Sequence, residues 1–100
     1  MDPLQPPLLT RRVRVRGLVQ GVGYRYACAE LARSLGIAGW VRNRLDGSVE
    51  AVLQGHPDPV ERMCERLRSC NPGARVEALE ISEVPEPAPS FDGFEQRPTA

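Results

Sequence analysis

The 100-residue chain has no lysine, and all thirteen of its basic residues are arginine. This absence excludes enzymes that form a Schiff base through a lysine, and nucleotide-binding loops that use a lysine to hold phosphate. An arginine guanidinium presents a planar set of donors that suits two-point contacts with phosphate or carboxylate. The composition therefore favours arginine for any anion site, although most individual arginines in a protein are solvated.

The chain is also poor in cysteine, in aromatic residues and in long apolar runs. Its three cysteines have none of the spacings of metal ligands, so we expect free thiols. Apolar runs of only a few residues, with no charged-then-apolar leader, argue against a membrane span or a signal peptide and favour a cytoplasmic protein. With 5% aromatic residues, the chain lacks the aromatic strands of an RNA-binding sandwich, and nucleic-acid binding is not expected.

The length predicts one small domain. Three prolines among the first seven residues indicate a disordered tail over residues 1–9, which leaves a single domain over residues 10–100. The net charge is zero but unevenly placed, because residues 1–45 carry eight arginines against Asp2 and Glu30. The basic half also contains a glycine-rich stretch, "GLVQGVGYR", at residues 17–25.

Hydrophobic periodicity predicts the secondary structure on both sides of that stretch. "TRRVRVR", residues 10–16, alternates like a half-buried strand, and the residues after the glycines have an apolar stripe typical of a helix that ends near Gly36. Residues 37–44 and 48–55 flank a turn at Asp46 and Gly47 and predict a hairpin. The predicted stripe of the first helix consists of Tyr24, Ala27, Cys28, Leu31 and Leu35.

The second half of the chain adds a helix and further strands. Val60, Met63, Cys64 and Leu67 have helical spacing after Pro57. "ARVEALEISEV" reads as a strand whose apolar positions change parity between residues 76 and 81, which indicates a bulge, and "FEQR" is a candidate short final strand. The order predicts an α+β ferredoxin-like split β-α-β sandwich (βαββαβ), with an antiparallel sheet and two helices on one face.

In that topology the first and second strands run the same way, so their ends lie at the same edge of the sheet. The glycine stretch follows the first strand, and Asn43 lies near the end of the second. We therefore expect the two to face one pocket.

The glycine stretch has two interpretations from its residues alone. Glycines before a helix can aim several backbone N–H groups at one anion, or they can supply only positive φ angles and close packing. The stretch lacks the lysine of a P-loop, and Tyr26 occupies the place of the third glycine in a dinucleotide fingerprint. Arg25, in the first helical turn, opposes the helix dipole, a conflict that a bound anion would remove.

Two stretches in order, "GLVQGVGYR" and "GWVRNRLDGSVEAVLQG" at residues 39–55, resemble the two signatures of the acylphosphatase family. The resemblance implies a small hydrolase, free of metal and cofactor, that cleaves the carboxyl-phosphate bond of acyl phosphates. The products of this reaction are a carboxylate and inorganic phosphate, and inorganic phosphate is expected to inhibit the enzyme. The resemblance also implies a small-molecule substrate, and we expect a monomer. A non-catalytic module that binds acyl phosphate, carbamoyl phosphate or phosphate is the alternative.

The resemblance also implies roles for individual residues. The loop amides would wrap the phosphate, Arg25 would hold it with its guanidinium, and Asn43 would orient the attacking water. Gly23 stands where many members carry a larger residue, so we expect a looser loop with weaker phosphate affinity. The implied phosphate-binding set is Gln20, Gly21, Val22, Gly23, Tyr24 and Arg25.

The remaining candidates are expected to be structural. The single histidine, His56, precedes a proline in a turn and is predicted to lie at the surface. Trp40 is predicted to pack rather than to contact substrate. Arg42 and Arg44 flank Asn43 on a strand, so they should point to the opposite face from it, where we expect them to be solvated.

Overall fold

A computed structural model of the chain describes residues 8–100. The α+β ferredoxin-like order predicted from the sequence is confirmed, with a short fifth strand at the end. Of the predicted disordered tail, residues 1–7 lie outside the described residues, whereas Leu9 already belongs to the first strand. The elements are β1 (Leu9–Leu18), α1 (Tyr24–Ser34), β2 (Ala38–Asn43), β3 (Val49–Gly55), α2 (Pro57–Arg66), β4 (Arg75–Glu83) and β5 (Phe94–Arg97).

The five strands form one sheet in the order β4-β1-β3-β2-β5. Because β3 is antiparallel to both β1 and β2, those two strands run the same way, as predicted. The expectation of a wholly antiparallel sheet is wrong, since β5 pairs parallel with β2. The loop over residues 84–93 crosses the end of the sheet from β4 at one edge to β5 at the other. As a result, β5 runs parallel to β2.

The core lies between one face of the sheet and the two helices. From α2, the predicted residues Val60, Met63 and Leu67 are all fully buried. The stripe of α1 is rotated from the prediction, because Ala29 and Ala32 are buried whereas residues 27, 31 and 35 are only partly covered. Small side chains let α1 approach the sheet closely. Within residues 8–100 no helix has the length and apolar character needed to cross a membrane.

The predicted bulge is present in β4. Arg16 pairs with Ala78 and the next residue, Gly17, pairs with Val76, so Glu77 is the extra residue. Gly17 has a φ of 133°, and a β-carbon there would lie 2.1 Å from the backbone oxygen of Arg75. The close approach of the two strands at the bulge therefore requires glycine at position 17.

The other face of the sheet carries a cluster of arginines around one carboxylate. Glu50 of β3 is only 1% exposed, and its carboxylate is paired with Arg12 and with Arg42, whose Nε donates to Oε1 at 3.1 Å. Arg44 Nη1 lies 3.5 Å from the same oxygen. Burial opposes ionisation of Glu50, but the hydrogen bonds from these guanidinium groups lower its pKa.

This cluster corrects the prediction that Arg42 and Arg44 are solvated. They do point away from Asn43, as alternation requires, but a buried carboxylate on the neighbouring strand holds them. Trp40 packs, as predicted, and its ring contacts the guanidinium groups of Arg42 and Arg97, each 4.9 Å from the ring centroid.

Candidate functional site

The glycine loop connects β1 to the start of α1. Gly21 and Gly23 have φ angles of 76° and 81°, in the left-handed region that favours glycine. Gly23 is the N-cap residue of α1. Within the described residues, no side chain caps this helix start and its first turn carries no acidic residue. The N–H groups at the start of α1 are therefore available to an anion, in the position where the helix dipole favours one.

A cavity of about 240 Å³ opens beside this loop. It brings together the loop glycines, Arg25 and Asn43, as expected from the shared edge of β1 and β2. Arg25 is half-buried, and its Nη1 donates to the backbone oxygen of Arg97 at 3.3 Å, so β5 helps to hold the guanidinium. The lining residues are Val19, Gly21, Gly23, Tyr24, Arg25, Tyr26, Asn43 and Gln96.

Asn43 is the last residue of β2, and its backbone is fixed from two sides. It pairs with Val49 in β3, and its carbonyl accepts a hydrogen bond from the backbone N–H of Ala100 at 3.2 Å. Its side-chain Oδ1 is buried and has no hydrogen-bond partner among residues 8–100. A buried acceptor without a partner is unfavourable, so this oxygen is suited to receive a hydrogen bond from a molecule in the cavity.

Tyr24 has its ring in the core. Its side chain is 1% exposed, and its hydroxyl donates to the backbone oxygen of Leu67 at 2.6 Å. Burial raises the pKa of this hydroxyl, so it stays protonated. The ring therefore anchors α1 to the end of α2, and Tyr24 meets the cavity at the helix start.

Two other members of the implied phosphate-binding set lie outside the cavity wall. The side-chain amide of Gln20 donates to the backbone oxygens of Arg44 and Ser48, both at 2.8 Å. Val22 is exposed, and its carbonyl accepts a hydrogen bond from Asn71 Nδ2 at 2.8 Å. These contacts tie the glycine loop to the β2–β3 hairpin on one side and to the loop after α2 on the other.

Three cavity residues were missed from the sequence. Tyr26 adjoins Arg25 in the first turn of α1, so its place next to the loop was a usable signal. Val19 lies within the glycine stretch, but the implied phosphate-binding set began one residue later, at Gln20. Gln96 gave no signal, because only the parallel pairing of β5 with β2 brings it to this edge of the sheet.

The other residues considered in the sequence analysis do not line the cavity. Asp46 accepts hydrogen bonds from the hydroxyl of Ser48 at 2.5 Å and from its backbone N–H at 2.9 Å, and these bonds lower the pKa of Asp46 to about 2. His56 is exposed at the start of α2. The three cysteines, all within the described residues, are free thiols as predicted. Among residues 8–100, no three His, Cys, Asp or Glu side chains cluster as metal ligands would.

The cavity thus joins one cation, the N-terminus of a helix and one amide oxygen that has no protein partner. The first two attract an anion, and the third can accept a hydrogen bond from a neutral donor such as water. This combination is suited to binding a phosphoryl group beside a positioned water.

Comparison with known proteins agrees with these features. The family model for acylphosphatases matches residues 11–96. Acylphosphatase 1 from Ralstonia nicotianae is 61% identical over 92 residues, covering 92% of this chain and 90% of that protein. The acylphosphatase from Polaromonas naphthalenivorans is 52% identical over 86 residues, covering 86% and 85% of the two chains. The crystal structure of acylphosphatase from Bacillus subtilis has a TM-score of 0.85 and 31% identity, covering 89% of this chain and 98% of that one. The chain therefore belongs to the acylphosphatase family of hydrolases.

Proposed function

We propose that the chain hydrolyses the carboxyl-phosphate bond of small acyl phosphates, with phosphate held at the glycine loop and water oriented by Asn43. The observation that supports this best is the buried Oδ1 of Asn43, which has no partner among residues 8–100 and lines the same cavity as Arg25. One group can hold the phosphoryl oxygens while the other receives a hydrogen bond from the nucleophile.

The phosphoryl group binds between the N–H groups at the start of α1 and the guanidinium of Arg25. Phosphoryl transfer passes through a loose transition state with charge spread over the phosphoryl oxygens. Backbone amides and a guanidinium fixed by its bond to the Arg97 carbonyl stabilise that charge without rearranging. Arg25 and the loop therefore supply both affinity and electrostatic catalysis.

Asn43 positions the water opposite the leaving group. The Oδ1 atom accepts a hydrogen bond from water, which leaves a water lone pair free to attack phosphorus. The bond between phosphorus and the acyl oxygen breaks, and the carboxylate departs without protonation because its conjugate acid has a pKa of about 4. The proton lost by the water passes to the phosphate, and the products are a carboxylate and inorganic phosphate.

We further propose that the enzyme is a cytoplasmic monomer and that its activity does not require a metal ion. Three free thiols suit a reducing compartment. Inorganic phosphate, as the product that matches the cavity, inhibits by competing with substrate.

The test is hydrolysis of benzoyl phosphate by purified protein, with and without EDTA. We expect turnover that EDTA does not change. Arg25→Ala should lower kcat/KM about a hundredfold or more and weaken phosphate inhibition, since one charged donor to the transition state is lost. Asn43→Ala should lower kcat by a similar factor while phosphate still inhibits. Arg62→Ala, an exposed arginine of α2, is the matched control and should behave as wild type.

The competing function is a non-catalytic module that only binds phosphate or acyl phosphate. A wild-type protein that binds phosphate by calorimetry, loses this binding in Arg25→Ala and yet hydrolyses no acyl phosphate would establish that alternative. Circular dichroism of each variant verifies that lost turnover is not lost folding.

A further inference from the structure

A second and larger cavity, of about 540 Å³, adjoins the phosphate cavity on the helical side of the molecule. It is a groove between α1 and the end of α2. Its floor and walls include the partly buried side chains of Ala27, Leu31 and Cys70, with the ring of Tyr26 at one end. Glu30 and Arg66 are charged residues of its rim.

Tyr26 lines both cavities, so the groove begins beside the cavity at the glycine loop. The groove residues of α1 recur on one side of the helix, at positions 26, 27, 30, 31 and 34. From position 26 to position 34 the helix rises about 12 Å, directed away from the glycine loop. A substrate whose phosphate lies at the start of α1 can therefore extend its other end along this groove.

The chemistry of the lining selects among acyl groups. Alanine, leucine, a thiol and a phenol ring that is 62% exposed offer apolar and aromatic contacts. A planar aromatic acyl group can pack against the Tyr26 ring. The Glu30 carboxylate is paired with Arg33 at 3.4 Å and shares the rim with Arg66, so the charged rim has no strong preference of sign. A single acetyl group is too small to reach beyond the first turn.

We propose that this groove, defined by Tyr26, Ala27, Leu31 and Cys70, binds the acyl group of the substrate, and that the preferred substrates are acyl phosphates with an aromatic or branched apolar acyl group. This assignment rests on the proposed function for the position of the phosphate. It makes Tyr26 the specificity-determining residue between small and large acyl groups.

The test uses two analogues whose carbon-phosphorus bond resists hydrolysis, benzoylphosphonate and acetylphosphonate, with affinities measured by calorimetry. Wild type should bind benzoylphosphonate about tenfold more tightly than acetylphosphonate. Tyr26→Ala should reduce this ratio about three- to tenfold, the range expected for loss of one aromatic contact. Tyr26→Phe should keep the ratio. Ile81→Ala, an exposed apolar residue of β4, is the matched control.

A second measurement needs no substitution. Cys70 is partly exposed within the groove, so its alkylation by iodoacetamide reports occupancy. Saturating benzoylphosphonate should slow this alkylation several-fold, whereas saturating acetylphosphonate should leave its rate within twofold.

The outcomes separate the two proposals. Equal affinities for the two analogues, a ratio that Tyr26→Ala does not change, or no protection of Cys70 would each overturn the acyl-group assignment. No binding of either analogue would overturn the phosphate position of the proposed function, and the groove assignment with it. A wild type that shows the expected ratio and protection but hydrolyses neither benzoyl nor acetyl phosphate would overturn the enzymatic function and leave the groove assignment standing.

Discussion

Gln20 in the glycine loop donates a 2.8 Å hydrogen bond to the backbone oxygen of Arg44, the residue that follows Asn43. The same amide nitrogen also reaches the carbonyl of Ser48 across the hairpin turn. The two halves of the proposed site, the glycine loop and the strand end that carries Asn43, are thus fixed relative to each other by one side chain. We therefore propose Gln20 as a positioning residue.

Gln20→Ala should lower kcat about tenfold or more, because small displacements between Arg25 and Asn43 are costly for an in-line reaction. The affinity for inorganic phosphate, measured by calorimetry, should change much less than kcat.

Gln54→Ala is the matched control for Gln20→Ala. Its amide nitrogen also bridges two acceptors, Thr10 Oγ1 at 3.0 Å and the backbone oxygen of Pro89 at 2.7 Å, at the other end of β3. It should lower the midpoint of urea unfolding without altering kcat. Equal kcat values for wild type and Gln20→Ala would refute the positioning role.

Glu50→Gln should destabilise the fold by about 3 kcal/mol at pH 7, since it leaves Arg12 and Arg42 without their buried carboxylate. Urea unfolding followed by tryptophan fluorescence measures this, and Trp40 stacks on Arg42 within the same cluster.

The pH dependence of that loss follows from the lowered pKa of Glu50. Because the folded pKa lies below the unfolded one, the ionised carboxylate stabilises the fold above the unfolded value and loses this effect as the pH falls through the folded value. The difference in the free energy of unfolding between wild type and Glu50→Gln should therefore decrease below about pH 4. A gap that is constant from pH 7 to pH 3 would contradict this.

Gly23→Ala should destabilise the chain by about 1 kcal/mol, because its φ of 81° is left-handed, although an added β-carbon would make only an ordinary contact with Asn71 Nδ2 at 3.9 Å. Gly36→Ala is the matched control, with a φ of 70° and no atom within 4 Å of an added β-carbon. Both should unfold at lower urea concentration, but only Gly23→Ala should change the affinity for phosphate. Identical phosphate affinities in both variants would place Gly23 outside the binding loop.

The rate of benzoyl phosphate hydrolysis should be flat between pH 6 and pH 8. Neither an arginine guanidinium nor an amide changes protonation in this range. Initial rates in buffers of constant ionic strength check this. A bell-shaped profile centred near pH 7 would point to a titrating acid or base instead of Arg25 and Asn43.

Local patterns in the sequence were enough to predict much of the secondary structure. The parity change in β4 correctly predicted the bulge opposite Gly17, and the "LDG" turn predicted the hairpin. The meeting of Arg25 and Asn43 in one cavity followed from topology alone, since strand directions in a split β-α-β sandwich are fixed by connection rules.

What the sequence could not show depends on contacts between strands. Glu50 occupies a polar position in an alternating strand and looks solvent-facing. Only the arginines of the strands on either side bury it. The role of Gln20 was likewise hidden, because its partners are backbone oxygens of a distant hairpin. Alternation reports which face a side chain takes, but not what covers that face.

The parallel pairing of β5 with β2 has a consequence for biosynthesis. Gln96 lines the cavity beside the glycine loop, and the Arg97 carbonyl accepts a hydrogen bond from Arg25, a residue 72 positions earlier. A nascent chain that has emerged only as far as β4 contains the glycine loop, both helices and Asn43, yet lacks these two supports. Under the proposed function, the site is therefore complete only once β5 has been synthesised, and a chain truncated before residue 96 would keep both family signatures but lack part of this cavity.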